Sequence, residues 1–508
     1  MAHVLIIGGG VSGLSAGIYA QMSGHHATIC EKHKIAGGNL TGWQRGNYHI
    51  DNCIHWLTGT NPATDSYQVW ETLGALGNVS IYQGDSLYTC EYSGVRLSLH
   101  KDLQTVKKEM LDCSPQDQKE IEAFIDAVEI IEGLCGIGGN AHNEGLSSAE
   151  LLLKAPSLLK YYRMTTGELA ARFSHPALRF FIGSLMGEDF GALALLMVFA
   201  TFCGHNGGIP EGGSLEMANR IAARFTSLGG TLLTQKEAVK IYHAGGRAYS
   251  ACFSDGSVVE ADYIVLTADP AVMFKKLLKL PMPPQIKRLY ENPRLKRFSS
   301  YQCAFACRLS TLPFRGDFAF PIPEKYHKIL GTDCAVIREF SHEPSFAPAG
   351  ETVLQTLTFC YEEDARRFID LRNADIAAYN QKKEEIAALF IKILEEKFPQ
   401  MEGKLTCIDV WTPATYHRFT DSEIGSFMSF AMPSKMLPKR ASNRIRGLSN
   451  VILATQWQQC PGGLPIAAEG GRLAIETINK LEKKAKIAAI SKQKTPAYGH
   501  LGRIKSVR

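Results

Sequence analysis

The sequence predicts an α/β protein: a largely parallel, doubly wound sheet assembled from distant stretches of chain, joined to a second portion of α+β character. Three observations predict it. Val4–Ile7 is a short apolar run that enters a glycine-rich turn and then a small-residue helix, the pattern of a buried parallel strand feeding a crossover. Two later blocks, residues 205–275 and 440–482, return to short buried strands with glycine turns. The stretches between them, 85–204 and 276–439, read instead as amphipathic helices and longer alternating strands. A chain of 508 residues accommodates two to four structural units at roughly 100–200 residues each. Apolar residues at 45% and charged residues at 21% argue against wholesale disorder, collagen-like structure and coiled coil.

Charge and cysteine usage remove further classes. The net charge is +5, but residues 480–508 hold nine Lys/Arg and one acid, which leaves the rest of the chain at −3. The body is therefore not a nucleic-acid-binding surface. Thirteen scattered cysteines without a CxxC pair match neither a zinc framework nor a secreted disulfide scaffold, and no metal site is expected. The apolar strand at Val4 has no basic region before it, so no secretory signal is read and a cytoplasmic protein is expected. The longest uncharged apolar run, Phe190–Cys203, has 14 residues, short of the roughly 20 that span a bilayer. It reads as a buried helix or cavity wall, with a lipid-facing surface as the alternative.

The first element carries the clearest chemistry. Gly8-Gly9-Gly10-Val11-Ser12-Gly13 follows the strand and matches GxGxxG at Gly8, Gly10 and Gly13. Gly8 permits the tight turn, Gly10 admits a pyrophosphate to the backbone, and Gly13 lets the helix pack close to the strand. The helix start, with Ser12, offers free N–H groups to phosphates. Glu31 stands 18 residues after Gly13, where an acid accepts ribose hydroxyls and disfavours a 2′-phosphate. The pattern predicts a dinucleotide site. Gly37-Gly38-Asn39 lies just past the acid, and the unit then breaks off instead of continuing as βαβ repeats. That favours FAD over NAD, in a Rossmann-type domain made from residues 1–84, 205–275 and 440–482. Lys32, Gly38 and Asn39 join the expected cofactor contacts.

The second block supplies Pro210–Ser214, an amphipathic helix over Leu215–Leu228, strands at 231–234, 238–242 and 261–268, and a hairpin around Asp255-Gly256. Val239 is expected to touch the cofactor from this block. The third block has a strand at Asn450–Ala454, the turn Cys460–Pro465, and a helix over Ile466–Leu481 with Ala467, Ala468, Gly470 and Gly471 on its first turns. Gly462, Gly463, Leu464 and Pro465 would bring the positive end of that helix to the flavin, where it stabilises negative charge on the reduced ring. No Cys or His sits in a recognisable flavin-linking motif, so the FAD is expected to be noncovalent.

Together these blocks resemble the phytoene desaturase and retinol saturase family of FAD-dependent oxidoreductases, within the amine-oxidase-like superfamily. The resemblance runs through GGGVSGLSAG at 8–17, EKHKIAGGN at 31–39, IDNCIHWLTG at 50–59 and PEGGS at 210–214. It continues through SDGSVVEADYIVLTADP at 254–270, TPATYHRFT at 412–420 and CPGGLPIAAEGGRLAIETI at 460–478. Thr412, Pro413, Thr415 and Arg418 form its most discriminating block, and Ile54-His55 stands closer to the retinol saturase side. The sequence departs from the family at Asn39, where an arginine is common, and at Thr455-Gln456, which replaces a glycine-containing turn. The resemblance implies an apolar small-molecule substrate such as a long isoprenoid, whose double bonds are removed, added or shifted.

The remaining regions, 85–204 and 276–439, form the expected substrate or cap domain. Residues 85–205 read as largely helical and 374–398 as one helix, over strands at 301–309 and 352–360. Such a cap implies a deep apolar pocket, and the 190–203 run suggests a tunnel to the flavin. His55 is the one candidate catalytic residue, with a structural histidine as the equal alternative; Gln456 and Cys460 are comparable by position. The flavin itself carries hydride transfer, so no acid–base pair is required. Residues 483–508 form a basic tail, expected to be disordered past Ser491 and able to meet an anionic membrane surface. Competing readings are an amine-oxidase-like enzyme acting on C–N bonds or a tetrapyrrole, and a non-catalytic FAD-binding protein at a membrane. The electron donor or acceptor is not legible.

Overall fold

The structure, a computed structural model, describes residues 1–133 and 148–493. Its first sheet has six strands drawn from all three glycine-rich blocks. In spatial order they are Thr231–Leu233, β2 (His26–Cys30), β1 (His3–Ile7), Tyr263–Leu266, Leu448–Leu453 and Arg444–Ile445. The four central contacts are parallel, with Val4 opposite Tyr263 and Ala27. Alternate residues along the strands enter two different cores, as the pleat requires. Val4, Ile6, Val265 and Ile452 pack under helix α1 (Val11–Met22), the helix Gly213–Ser227 and the carboxy-terminal helix Leu464–Gln493. Leu5, Ile7, Ile264, Leu266, Val451 and Leu453 face the hairpin sheet of 238–260 and the turns of 270–290. Burial on both faces explains why these strands read as continuous apolar runs.

α1 and the carboxy-terminal helix cross closely, and the sequence permits it with a glycine. A Cβ on Gly471 would lie 2.6 Å from Ala16 N and 2.7 Å from Ser15 Cβ. The Ser15 hydroxyl meanwhile donates to Ala468 O across the crossing at 2.6 Å. Segments more than 450 residues apart in sequence are thereby locked face to face.

The second portion is built on a larger mixed sheet. Its order is Thr358–Tyr361, Phe298–Arg308, Glu351–Thr356, Cys334–Glu339, Asp317–Pro321, Ser86–Tyr92 and Val95–His100, with Thr406–Trp411 also paired to 298–308. One face packs on the helix Ile376–Lys397 through Phe305, Leu354, Phe390 and Leu394. The other face carries Ala304, Phe340, Val353 and Trp411 against Ile50 of the dinucleotide-binding half. This second face is what positions the site.

Several expectations need correction. Residues 85–205 do not begin as helix: 86–92 and 95–100 form a hairpin that extends the cap sheet. The helix read over 374–398 is present as Ile376–Lys397, and a further helix, Glu362–Ala374, precedes it. Asp375 separates the two: its side chain accepts from Ala377 N and Ala378 N and caps the second. Residues 273–290, assigned mostly to the cap, pack through Leu277, Leu278 and Ile286 into the dinucleotide core. The last helix runs to Gln493, past the boundary at 483 and past Ser491, where disorder is expected to begin; residues 494–508 lie outside the described residues. The run Phe190–Cys203 forms the helix Ala192–Cys203, ten of whose twelve residues are buried. It is core, packed with Phe124 and Phe181, with only Leu193 and Met197 partly exposed. Among the described residues no helix is long and apolar enough to cross a membrane.

Candidate cofactor and active site

The chain leaves β1 at Ile7 and turns at Gly8, whose φ of +106° favours glycine. Thr267 supports the turn from the neighbouring strand, donating its hydroxyl to Ile7 O at 2.9 Å. α1 then starts at Val11 with Gly10 as its N-cap and no side chain capping it. Its first-turn N–H groups are thus left to an anion. A Cβ on Gly13 would overlap the Gly8 carbonyl oxygen, so that glycine is required by packing. Gly10 is different. Its φ is −71°, open to any residue, and a Cβ there would meet no protein atom nearer than 3.9 Å. The polypeptide gives no reason for glycine at this position. A pyrophosphate lying against the backbone does, and the site fits one.

Glu31 is buried at the end of β2. Its carboxylate accepts from Gly9 N at 2.7 Å and from His33 N at 2.9 Å. It therefore braces the glycine loop, and each oxygen keeps a lone pair for ribose hydroxyls. Gly37 and Gly38 fold back over the loop: Gly37 N donates to Gly9 O at 2.8 Å, and a Cβ on Gly38 would stand 3.2 Å from Gly10 Cα. Lys32 turns away toward the cap, 3.0 Å from Asp421 Oδ1. Val239 sits at a bulge where the pairing between Ala238 and Lys240 slips, with its side chain 36% exposed. Lys236 N, three residues before it, donates to Glu31 O at 2.8 Å, which places this strand beside the ribose end.

The redox end is built at the start of the carboxy-terminal helix. Gly462, Gly463, Leu464 and Pro465 form its entrance, with Gly463 at φ +117°. Gln456 braces the turn: its Oε1 accepts from Gly463 N at 2.9 Å. The sequence marked Gln456 as a departure from a glycine turn and, by position, as a candidate beside the flavin; the structure gives its side-chain carbonyl a bracing role in the turn. Met428 lies beside this turn, its sulfur 3.9 Å from where a Cβ on Gly463 would stand, and leads into an apolar, aromatic wall. Phe298 meets Phe190, Phe359 and Phe427 edge to face, with ring centroids 5.3–5.8 Å apart, and Met428 packs beside them. Asn39 ties this wall to the glycine loops, donating to Phe427 O at 3.2 Å, while Asn52 Nδ2 donates to Asn39 O at 3.1 Å.

The candidate reactive residues fare unevenly. The Cys460 thiol is buried against Ala431 O at 3.3 Å, and burial pushes its pKa up to about 12, so it stays a thiol. His55 Nδ1 faces Asp317 Oδ2 at 3.6 Å. Burial first, and then the Arg338 guanidinium, lower its pKa below the ordinary histidine value, which leaves it neutral near pH 7. Arg338 donates to Ile54 O at 2.7 Å and fixes the same loop. These contacts support the structural reading of His55. The sequence did not single out Asp51, which accepts from Ser214 N, Ser214 Oγ and Cys53 N at 2.6–3.1 Å. It pins the 51–55 loop to the helix Gly213–Ser227. Its only signal was its place in the IDNCIHWLTG stretch at 50–59. Among the described residues no His/Cys/Asp/Glu group is arranged for a metal.

The model for the flavin containing amine oxidoreductases matches residues 11–479. The chain belongs to that family. It is an FAD-dependent oxidoreductase of the phytoene desaturase-like group, and the glycine loops described above are where FAD fits. A chloroplastic prolycopene isomerase of an Oncidium hybrid cultivar is 23% identical over 450 residues, covering 83% of this chain and 74% of the relative. A lycopene-forming phytoene desaturase of Pseudescherichia vulneris is 22% identical over 498 residues, covering 92% and 96%. An oxidoreductase from Methanosarcina mazei shares the fold with a TM-score of 0.60 at 15% identity, covering 93% of this chain and all of its own.

Proposed function

We propose that this enzyme desaturates or isomerises carbon–carbon double bonds in an extended apolar polyene. One observation carries the reading: beside the Gly462-Gly463 turn Met428 leads into an aromatic cluster of Phe190, Phe298, Phe359 and Phe427, a lining suited to a flat hydrocarbon. The names of the sequence relatives, isomerase and desaturase of carotenoids, support the same class. Bound FAD supplies two-electron hydride chemistry. The chain's own residues do the rest. Gly10, Gly13 and the start of α1 hold the pyrophosphate, and Glu31 holds the ribose. The helix beginning at Leu464 directs its positive end toward the electron-rich edge of the ring. The aromatic wall orients the polyene and excludes water. Neutral His55 and protonated Cys460 offer no strong base, which suits a reaction without an acid–base pair.

The test is anaerobic incubation of the FAD-loaded protein with acyclic polyenes, followed by mass spectrometry. Loss of two hydrogens identifies desaturation, and unchanged mass with altered retention identifies isomerisation. Untouched polyenes together with oxidation of an amine would overturn the reading in favour of C–N chemistry. An apolar substrate partitions into bilayers, so we also propose that the protein meets an anionic membrane surface peripherally. The support is the basic 480–508 stretch and the exposed Leu437, which lies between exposed Lys435 and Lys439.

A further inference from the structure

The cap sheet carries one polar side chain on its inner face for which the fold has no use. Gln355 lies on the strand Glu351–Thr356 and is 1% exposed. Neither its amide nitrogen nor its amide oxygen has a hydrogen-bond partner. The strand register fixes where it points. Val353, two residues earlier, packs on Ile50, and Glu351 accepts from the Tyr48 hydroxyl. Alternation puts Gln355 on that same face, while Leu354 enters the opposite core.

Neither of its neighbours across the sheet pairs with its amide. Ala304 and Arg338 flank it in register. Ala304 contributes only a methyl group. Arg338 is committed to Ile54 O and to Asp317. Further along, Gln302 Nε2 donates to the Tyr416 hydroxyl at 3.0 Å, and the Tyr416 ring lies 6.0 Å from Phe427. Phe427 belongs to the aromatic wall and holds Asn39. Gln355 thus shares the sheet face that meets the dinucleotide-binding half, and Gln302 and Tyr416 lead along that face to the wall.

A buried amide with both ends unpaired destabilises the folded chain, and such groups persist where something else completes them. We infer that Gln355 reads a hydroxyl on the substrate, which accepts from the amide nitrogen and donates to the amide oxygen. The inference rests on the polyene reading above and narrows it to an oxygen-bearing polyene. Gln355 is a specificity residue, and no bond is made or broken at it.

The experiment uses FAD-loaded enzyme in detergent, without oxygen. It is titrated with an acyclic hydrocarbon polyene and with the same polyene carrying one terminal hydroxyl, and the flavin absorbance change is followed. The hydroxylated compound is expected to bind about tenfold more tightly, the discrimination of one completed hydrogen-bonding group. Gln355→Leu should erase that preference while keeping full FAD content and an unfolding midpoint no lower than wild type. Gln355→Met repeats the measurement should the first variant fold poorly. Equal affinities in wild type, or a preference that survives in both variants, would overturn the inference alone. Loss of FAD in both would reassign Gln355 to the cofactor, and a lowered midpoint in both would make it structural; either overturns it. If neither compound perturbs the flavin, the polyene reading itself fails and this inference with it.

Discussion

Gly10 and Glu31 separate what a residue does for the fold from what it does for the cofactor. A Cβ at Gly10 meets no protein atom nearer than 3.9 Å, so Gly10→Val should fold normally and lose FAD. Equal far-ultraviolet circular dichroism with a colourless protein is the expected result; normal FAD content would contradict the site. Glu31→Gln should weaken FAD by about 1–3 kcal/mol, measured by reconstitution of the apoprotein. Part of that loss arises in the loop, because Gly9 N and His33 N also rest on this carboxylate. These two residues were legible in the sequence because their signals are local: fixed spacing along one strand, turn and helix. The bracing role of Gln456, and Gln355 altogether, were not. One acts on a turn seven residues away. The other is defined by the partners it lacks on a face that only the sheet register reveals.

At the scale of elements, the helix crossing between α1 and Leu464–Gln493 depends on Gly471. Gly471→Val would push a side chain into Ser15 and Ala16, and overpacking of this kind costs about 1–3 kcal/mol or more. A lower unfolding midpoint by calorimetry and a matching loss of FAD are expected, since the same two helices start at its two ends. An unchanged midpoint would mean the helices can slide apart. Small residues on the first turns of the last helix were visible in the sequence, but their partner was not, because it lies more than 450 residues away. The same limit explains the hairpin missed at 86–100, whose first strand pairs with Asp317–Pro321. Local pattern sees the alternation of Leu97 and Leu99; it does not see the sheet edge that makes a strand worth forming.

Over the whole molecule, the two halves are fastened by charge as well as by packing. Glu423 of the cap-side loop meets Arg297 at 2.6 Å and Lys275, in the dinucleotide half, at 2.9 Å. Burial acts against its ionisation, but the hydrogen bonds from Arg297 and Lys275 outweigh it and hold the pKa down at about 2. A carboxylate depressed in the folded state contributes stability above its ordinary pKa of about 4.5 and loses it as pH falls toward the folded value. The difference in unfolding midpoint between wild type and Glu423→Gln should therefore be full at pH 6 and shrink below pH ~4.5. A constant difference across that window would show the pair to be inert. The membrane proposal is tested at the same scale. Nine Lys/Arg against one acid in residues 480–508 would attract an anionic surface at about 1 kcal/mol per cation close to it. Salt screens such attraction, with a Debye length near 10 Å at 0.1 M. The buried 190–203 helix cannot provide the apolar contact, whereas Leu437, 66% exposed, can. Sedimentation with anionic liposomes should accordingly be strong at low salt and fall as salt rises. Removing residues 494–508 should weaken the salt-dependent part, and Leu437→Asp should weaken binding at every salt concentration, with FAD content unchanged in both. A full-length protein that stays in the supernatant at low salt would remove the membrane from the reading and leave the flavin site as it stands.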